Sequence, residues 1–132
     1  MKTVIDCNIL ISAGINDGIC REVIKEIITK HNNFISQEIL LEYREVILRP
    51  KFIKYKSTLI SLVELICEYS SDITINNYNM GYSLPDISDE IYLKTALKSQ
   101  AEYLVTGNIK DFPQINYGKI KVLSPKDFLE LI

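Results

Sequence analysis

The sequence predicts an α/β fold: a three-layer α/β/α sandwich with helices on both faces of a central, mostly parallel sheet of four or five strands. Three observations predict it. Short apolar, β-branched runs alternate with longer stretches whose apolar residues recur every three or four positions. Turn-forming residues punctuate the junctions between them. Polar and acidic residues follow two of the strand-like runs, as expected where parallel strands deliver side chains to one sheet edge.

Lys2 to Asp6 reads as a buried strand, β-branched at Thr3, Val4 and Ile5, that delivers Asp6 at its C-terminal end. Ser12, Gly14, Asn16, Asp17 and Gly18 read as a loop. Val23, Ile24, Ile27 and Ile28 set a helix from Cys20 to Lys30, which Asn32 and Asn33 break before a brief strand at Phe34-Ile35. Ser36 is a suitable N-cap for a helix from Gln37 to Leu48, whose apolar rows are Ile39–Tyr43–Val46 and Leu40–Ile47. Glu42 lies three residues after Ile39 and flanks that stripe. Arg49-Pro50 ends the helix.

A third helix spans Ser57 to Tyr69, a strand follows at Asp72 to Ile75, and Asn76 to Pro85 forms a loop. Asp86 or Ser88 caps a helix reaching Ser99, with Leu93, Ala96 and Leu97 inward; Asp89, one turn before Leu93, points toward the sheet. Tyr103 to Thr106 and Ile120 to Leu123 are strands, with a helical turn from Asn108 to Phe112 between them. Ser124-Pro125-Lys126-Asp127 opens a terminal helix, with Pro at its first position. No internal repeat or linker divides the chain, so residues 1–132 are expected to form one domain.

Composition narrows the chemistry. Hydrophobic residues make up 47% and charged residues 24%, as in ordinary globular proteins. No apolar run reaches the roughly 18 residues that a membrane span needs. Cys7, Cys20 and Cys67 show neither disulfide-framework nor zinc spacing and read as reduced cytoplasmic thiols. His31 is the only histidine, which argues strongly against His-based zinc hydrolysis and Ser–His triads. The net charge of −2 argues against a stand-alone nucleic-acid binder, unless divalent cations supply the positive charge at the phosphates.

Four acids from separate segments, Asp6, Glu42, Asp89 and Asp111, are candidates to converge at the sheet edge. Crowded carboxylates without basic partners repel one another, and a bound divalent cation removes the repulsion. Mg²⁺ and Mn²⁺ favour such oxygen ligands, and metal-assisted phosphodiester hydrolysis needs neither histidine nor cysteine.

The residues that carry this chemistry also resemble a known family. Val4-Ile5-Asp6-Cys7-Asn8-Ile9-Leu10-Ile11-Ser12 resembles the opening strand and D-x-N motif of PIN-domain nucleases. The run from Glu42 to Phe52 resembles their E-x-x-x-V-L-x-R-P-K-F segment, and Pro85-Asp86-Ile87-Ser88-Asp89-Glu90 their P-D-x-x-D helix start. Ala101 to Phe112 resembles A-x-Y-L-V-T-G-(D/N)-x-x-D-F. The four segments occur in the family's order over nearly the whole chain, and resemble in particular the VapC-like ribonucleases, the toxins of toxin–antitoxin systems.

The resemblance implies a PIN-like fold and a cytoplasmic, Mg²⁺- or Mn²⁺-dependent endoribonuclease acting on RNA, with a cognate antitoxin protein as partner and a homodimer as its assembly. It implies Asp6, Glu42 and Asp89 as metal ligands or water-organising groups. The fourth position is open between Asn108, where many members carry Asp, and Asp111, which is preferred here with Thr106 and Asn108 as hydrogen-bonding supports. Asn8, Ser12 and Asp86 are supporting or substrate-facing candidates. Hydrolysis would leave 5′-phosphate and 3′-hydroxyl ends. The alternatives are a non-catalytic PIN module that binds a protein or RNA partner and, less well matched because Asn8 replaces the second acid of D-x-D, an aspartyl phosphatase.

Plainer readings apply elsewhere. N-capping alone explains Asp86. Arg44, Arg49 and Lys51 read as surface ion pairs, Lys54 and Lys56 as a solvated face, and Tyr43, Phe52 and Tyr55 as core or interface aromatics. His31 reads as a surface residue at a helix end.

Overall fold

A computed structural model of the chain describes residues 1–114 and 116–132. The elements in order are β1 (Lys2–Ile5), α1 (Cys7–Ile15), α2 (Ile19–Lys30), β2 (Asn32–Ile35), α3 (Gln37–Ile47), a 3₁₀ segment (Pro50–Tyr55), α4 (Lys56–Glu68) and β3 (Ser70–Asp72). A 3₁₀ turn (Ile87–Asp89), α5 (Glu90–Ser99), β4 (Tyr103–Val105), a second 3₁₀ turn (Ile109–Asp111), β5 (Asn116–Tyr117), β6 (Ile120–Leu123) and α6 (Pro125–Leu131) complete the chain. The α/β/α sandwich is as expected. Its sheet has six strands in the order β3-β2-β1-β4-β6-β5, parallel except for the β5–β6 pair. The sixth is β5, whose two residues are too few to leave a periodic trace in the sequence.

The strand order positions everything that follows. From β1 the chain builds outward to β2 and β3, then returns to place β4 on the other side of β1. The β1–β4 junction is therefore the switch point of the sheet, where open α/β folds form a crevice beyond the strand C-termini. Ile5 pairs with Val105 at the end of the two strands, so Asp6 and Thr106 emerge side by side.

Three local expectations are corrected. Residues 12–18 are not all loop: α1 extends through Ile15 and buries Ile9, Leu10 and Ala13 completely. Tertiary packing overrides the turn signal, and Gly14 serves close approach instead. A Cβ on Gly14 would lie 2.2 Å from Leu59 Cδ2 and 2.8 Å from its Cγ. Asn32 and Asn33 belong to β2. Asn33 is tolerated inside the sheet because Thr3 Oγ1 donates to its Oδ1 (3.0 Å) and its Nδ2 donates to Ser70 Oγ (2.9 Å). The same bond draws β3 to the polar run Ser70–Asp72, and Ile75 is buried beyond the strand.

Other expectations hold in detail. Ser36 caps α3 by accepting from Ile39 N at 3.3 Å, and its hydroxyl lies 2.9 Å from that of Thr95 on α5. Ser124 caps α6 by accepting from Asp127 N. His31 is not a free surface residue, since its ring packs edge-on against Phe128 of α6.

Gly14→Ala is expected to destabilise the protein. Alanine raises helix propensity by roughly 1 kcal/mol, but overpacking against a fully buried leucine costs roughly 1–3 kcal/mol. A net loss of up to about 2 kcal/mol in urea unfolding is predicted, and Gly14→Ala with Leu59→Ala should recover part of the steric component.

Candidate active site

Asp6 is the fixed point. Its backbone N–H donates to Val105 O (3.0 Å), and its side chain is only 4% exposed at the N-terminus of α1. Thr106 Oγ1 donates to Asp6 Oδ2 at 2.8 Å, and Asn8 Nδ2 lies 3.3 Å from both that carboxylate oxygen and the Thr106 hydroxyl. Asn8 Oδ1 accepts from Gly107 N at 2.8 Å. A Cβ on Gly107 would come within 3.2 Å of that same oxygen, so the glycine lets the backbone close over Asn8. The network continues as Asn108 N donates to Thr106 Oγ1 (3.1 Å) and Asn108 Nδ2 to Asp111 Oδ2 (3.0 Å). Thr106 and Asn108 thus connect Asp6 to Asp111, the Thr106–Asn108 link being made by the Asn108 backbone N–H, and Asn8 braces the Asp6 end.

Glu42 and Asp89 approach from helices. α3 carries Glu42 beside buried Tyr43, whose hydroxyl donates to Ile5 O and ties the helix to the strand end below Asp6. Asp89 closes the 3₁₀ turn before α5. It makes no capping bond, and its Oδ2 is buried without a hydrogen-bond partner among the described residues. Tyr92, one turn onward, is fully buried, and its hydroxyl likewise lacks a partner of proper geometry. It faces Glu42 and Cys7 closely enough to favour their charged forms.

The electrostatics show four mutually repelling groups. Burial raises the Asp6 pKa, opposed by the Thr106 hydroxyl and reinforced by the charge of Asp111. Glu42 is raised by partial burial and by Asp6 and Glu45, with Tyr92 and Arg49 opposing. Asp89 is pushed up to about 7, first by desolvation and then by Asp6, Asp111, Asp86 and Glu42. Burial and the adjacent acids push the Cys7 thiol up to about 12, so it is no thiolate nucleophile. Among the described residues, none of the four acids forms an ion pair.

The donor set is entirely oxygen and anionic, which suits Mg²⁺ or Mn²⁺. Among the described residues, no three His, Cys, Asp or Glu side chains stand close enough to enclose one ion. This spacing still fits a cation held by one or two carboxylates that keeps several of its waters, as Mg²⁺ commonly does. The unpartnered Asp89 oxygen and the uncompensated charge supply the physical demand for it.

The remaining candidates divide. Asn8, Thr106 and Asn108 sit in the network. Asp86 is exposed and accepts from Ser88 N (3.0 Å) and Ser88 Oγ (2.8 Å), the geometry of a cap. Ser12 lies on α1 outside the network, with no side-chain hydrogen bond among the described residues. Sequence reasoning overlooked Tyr43 and Tyr92 as site residues. Their positions, directly after Glu42 and three after Asp89, were the available signal. Glu90 was also missed: its Oε2 accepts from Leu84 N at 3.1 Å and tethers the loop leading into the site.

The metal-free protein is expected to lose stability between about pH 4 and pH 7. The folded pKa of Asp89, about 7, lies above the ordinary aspartate value of 3.8. The folded state therefore holds this proton more tightly, a stabilisation fully present below the unfolded pKa and lost as pH rises through the folded one. Thermal melts in EDTA should show Tm falling across that window, and Asp89→Asn should flatten the profile.

Comparison with known proteins follows the same lines. A family model described as PIN domain matches residues 2–110. An uncharacterized protein of Methanocaldococcus jannaschii is 32% identical over 141 aligned positions, covering 98% of this chain and 90% of that protein. The fold is similar to the crystal structure of VapBC2 from Rickettsia felis bound to a DNA fragment from their promoter. The TM-score is 0.66 at 17% identity, covering 94% of this chain and 98% of that one.

Proposed function

The chain belongs to the PIN-domain family, and from that premise we propose that it is a Mg²⁺- or Mn²⁺-dependent endoribonuclease, the toxin of a type II toxin–antitoxin pair. The observation that carries the reading is the group of four unpaired acids at the switch point, with Asp6 buried and Asp89 holding an unpartnered oxygen. Asp6, Glu42, Asp89 and Asp111 are the candidates, of which one or two would hold the ion directly and the others would act through its waters. When bound, a divalent cation supplies charge neutralisation for the phosphate and activation of the attacking water.

The chain's own residues do the positioning. Thr106 and Asn8 fix the Asp6 carboxylate, so its orientation is set before substrate arrives. Asn108 holds Asp111, which favours Asp111 over Asn108 as the fourth acid. Asp89, whose carboxyl pKa is pushed up to about 7, is suited to accept a proton from water near neutral pH, and burial raises Glu42 in the same direction.

The likeness to VapBC2 supports a protein antitoxin as partner, and a homodimer acting in the cytoplasm is part of the same reading. Among the described residues no helix is long and apolar enough to cross a membrane. A second reading, a PIN module that binds RNA or protein without cutting, is favoured by the open spacing of the acids and by Asn108 in place of an acid.

Cleavage of a structured RNA with Mg²⁺ or Mn²⁺ tests the proposal. Asp6→Asn and Glu42→Gln should each lower the rate on the order of 100-fold or more, and EDTA should abolish cutting. Cutting that survives both substitutions would refute the site assignment; no cutting by wild type, with no Mn²⁺ binding by calorimetry, would favour the second reading. Thr106→Val keeps the buried shape but removes the bond to Asp6, and should weaken Mn²⁺ binding by roughly 10–100-fold.

A further inference from the structure

We infer that the exposed 3₁₀ segment Pro50–Tyr55, with Lys56, is a phosphate-backbone track that holds single-stranded RNA beside the acidic site. The inference rests on the proposed ribonuclease reading for the identity of the polyanion.

Charge is segregated along the chain. Between Glu45 and Glu64 there is no acid, while Arg49, Lys51, Lys54 and Lys56 all fall there. Those four belong to a total of 15 Lys and Arg, so the rest of the chain sets 11 cations against 17 acids. A locally basic strip on an acidic protein is the electrostatic footprint of a polyanion site.

The local geometry keeps the lysines available. Side chains three apart eclipse in a 3₁₀ helix. Phe52 and Tyr55 therefore share one face, and both pack against the core. Lys51 and Lys54 share another and are exposed, about 6 Å apart along the axis at the 3₁₀ rise. Each ammonium lies over the ring next to it, Lys51 at 5.1 Å from the Phe52 centroid and Lys54 at 5.9 Å from that of Tyr55. The anchored aromatics thus steady the cations without serving as stacking platforms for bases. Among the described residues, Lys51, Lys54 and Lys56 have no acidic partner within 4.0 Å. Arg49 differs, being held by Glu45 Oε2 at 2.9 Å.

The strip is continuous with the site. It follows directly on α3, which carries Glu42, and the positive charge of Arg49 acts on both Glu42 and Cys7. A strand lying on the lysines would be led toward acids that would otherwise repel it. Contacts of this kind grip phosphates and do not read bases, so binding should be insensitive to sequence.

The test is fluorescence anisotropy of labelled oligouridine in EDTA across a salt series, comparing wild type with the triple variant Lys51→Gln, Lys54→Gln, Lys56→Gln. A second triple, Lys119→Gln, Lys121→Gln, Lys126→Gln, controls for net charge. Loss of three contacts should reduce the slope of log K against log salt by about 2, and weaken binding up to roughly 100-fold at 0.1 M salt. The control triple should stay near wild type, and the track variant should retain its Tm and its Mn²⁺-dependent hydrolysis of a small chromogenic phosphodiester. Equal slopes for wild type and track variant, equal weakening by both triples, or no oligouridine binding by wild type would each overturn the inference. A wild type that binds with the predicted slope change yet hydrolyses neither RNA nor the small diester would sink the nuclease reading and leave the track standing.

Discussion

Placing an ionisable carboxyl group at the buried end of a central strand costs several kcal/mol unless other groups compensate. Asp6 offsets part of that cost through Thr106 and Asn8, and each of them depends on something further away. Thr106 must follow β4, and β4 must lie beside β1 in register. Asn8 must be the second residue of α1, with Gly107 close enough to donate to it. The β1–β4 junction, the start of α1 and the absence of a side chain at Gly107 are thus one constraint. Tyr43 extends it to α3 by bonding the carbonyl of Ile5.

Around that fixed point the molecule tolerates an electrostatic conflict that an inert domain would have removed. Perturbed carboxyl groups also arise in structural ion-pair networks. Here none of the four acids joins such a pair among the described residues, and an Asp89 oxygen is buried without a partner. The unpaired lysines of residues 51–56 lie in a separate strip, not among the acids they might have neutralised. Keeping the two signs apart leaves both free for groups from outside the chain.

Elements with a strong apolar period were legible from the sequence. The buried rows of α2, α3 and α4 and the runs of β1, β4 and β6 all appear where the periodicity places them. The failures share a cause. Ser12 and Gly14 are turn-forming types, yet α1 continues through them because Ile9, Leu10 and Ala13 are fully buried and Gly14 admits Leu59. Asn33 looks like a strand breaker until Thr3 and Ser70 are seen to satisfy its amide. β3 is polar throughout and is a strand only because β2 lies alongside it. In each case a long-range partner outweighs a local preference, and such partners leave no pattern in a window of ten residues.

The site divides in the same way. The sequence by itself singled out the four candidate acids and placed them after β1, on α3, before α5 and after β4, since motif order and helical spacing are local properties. The bland reading of Asp86 as a cap was equally local, and its bonds to Ser88 agree with it. Tertiary structure alone decided that Asp6 is buried, that Asn108 supports Asp111, that Ser12 stands outside the network, and that Tyr43 and Tyr92 line the site from below. It also decided that Lys51 and Lys54 share a free face. Desolvation and repulsion depend on distances between segments up to a hundred residues apart, as between Asp6 and Thr106. Those distances are set by how the sheet is ordered, which no single stretch of the chain encodes.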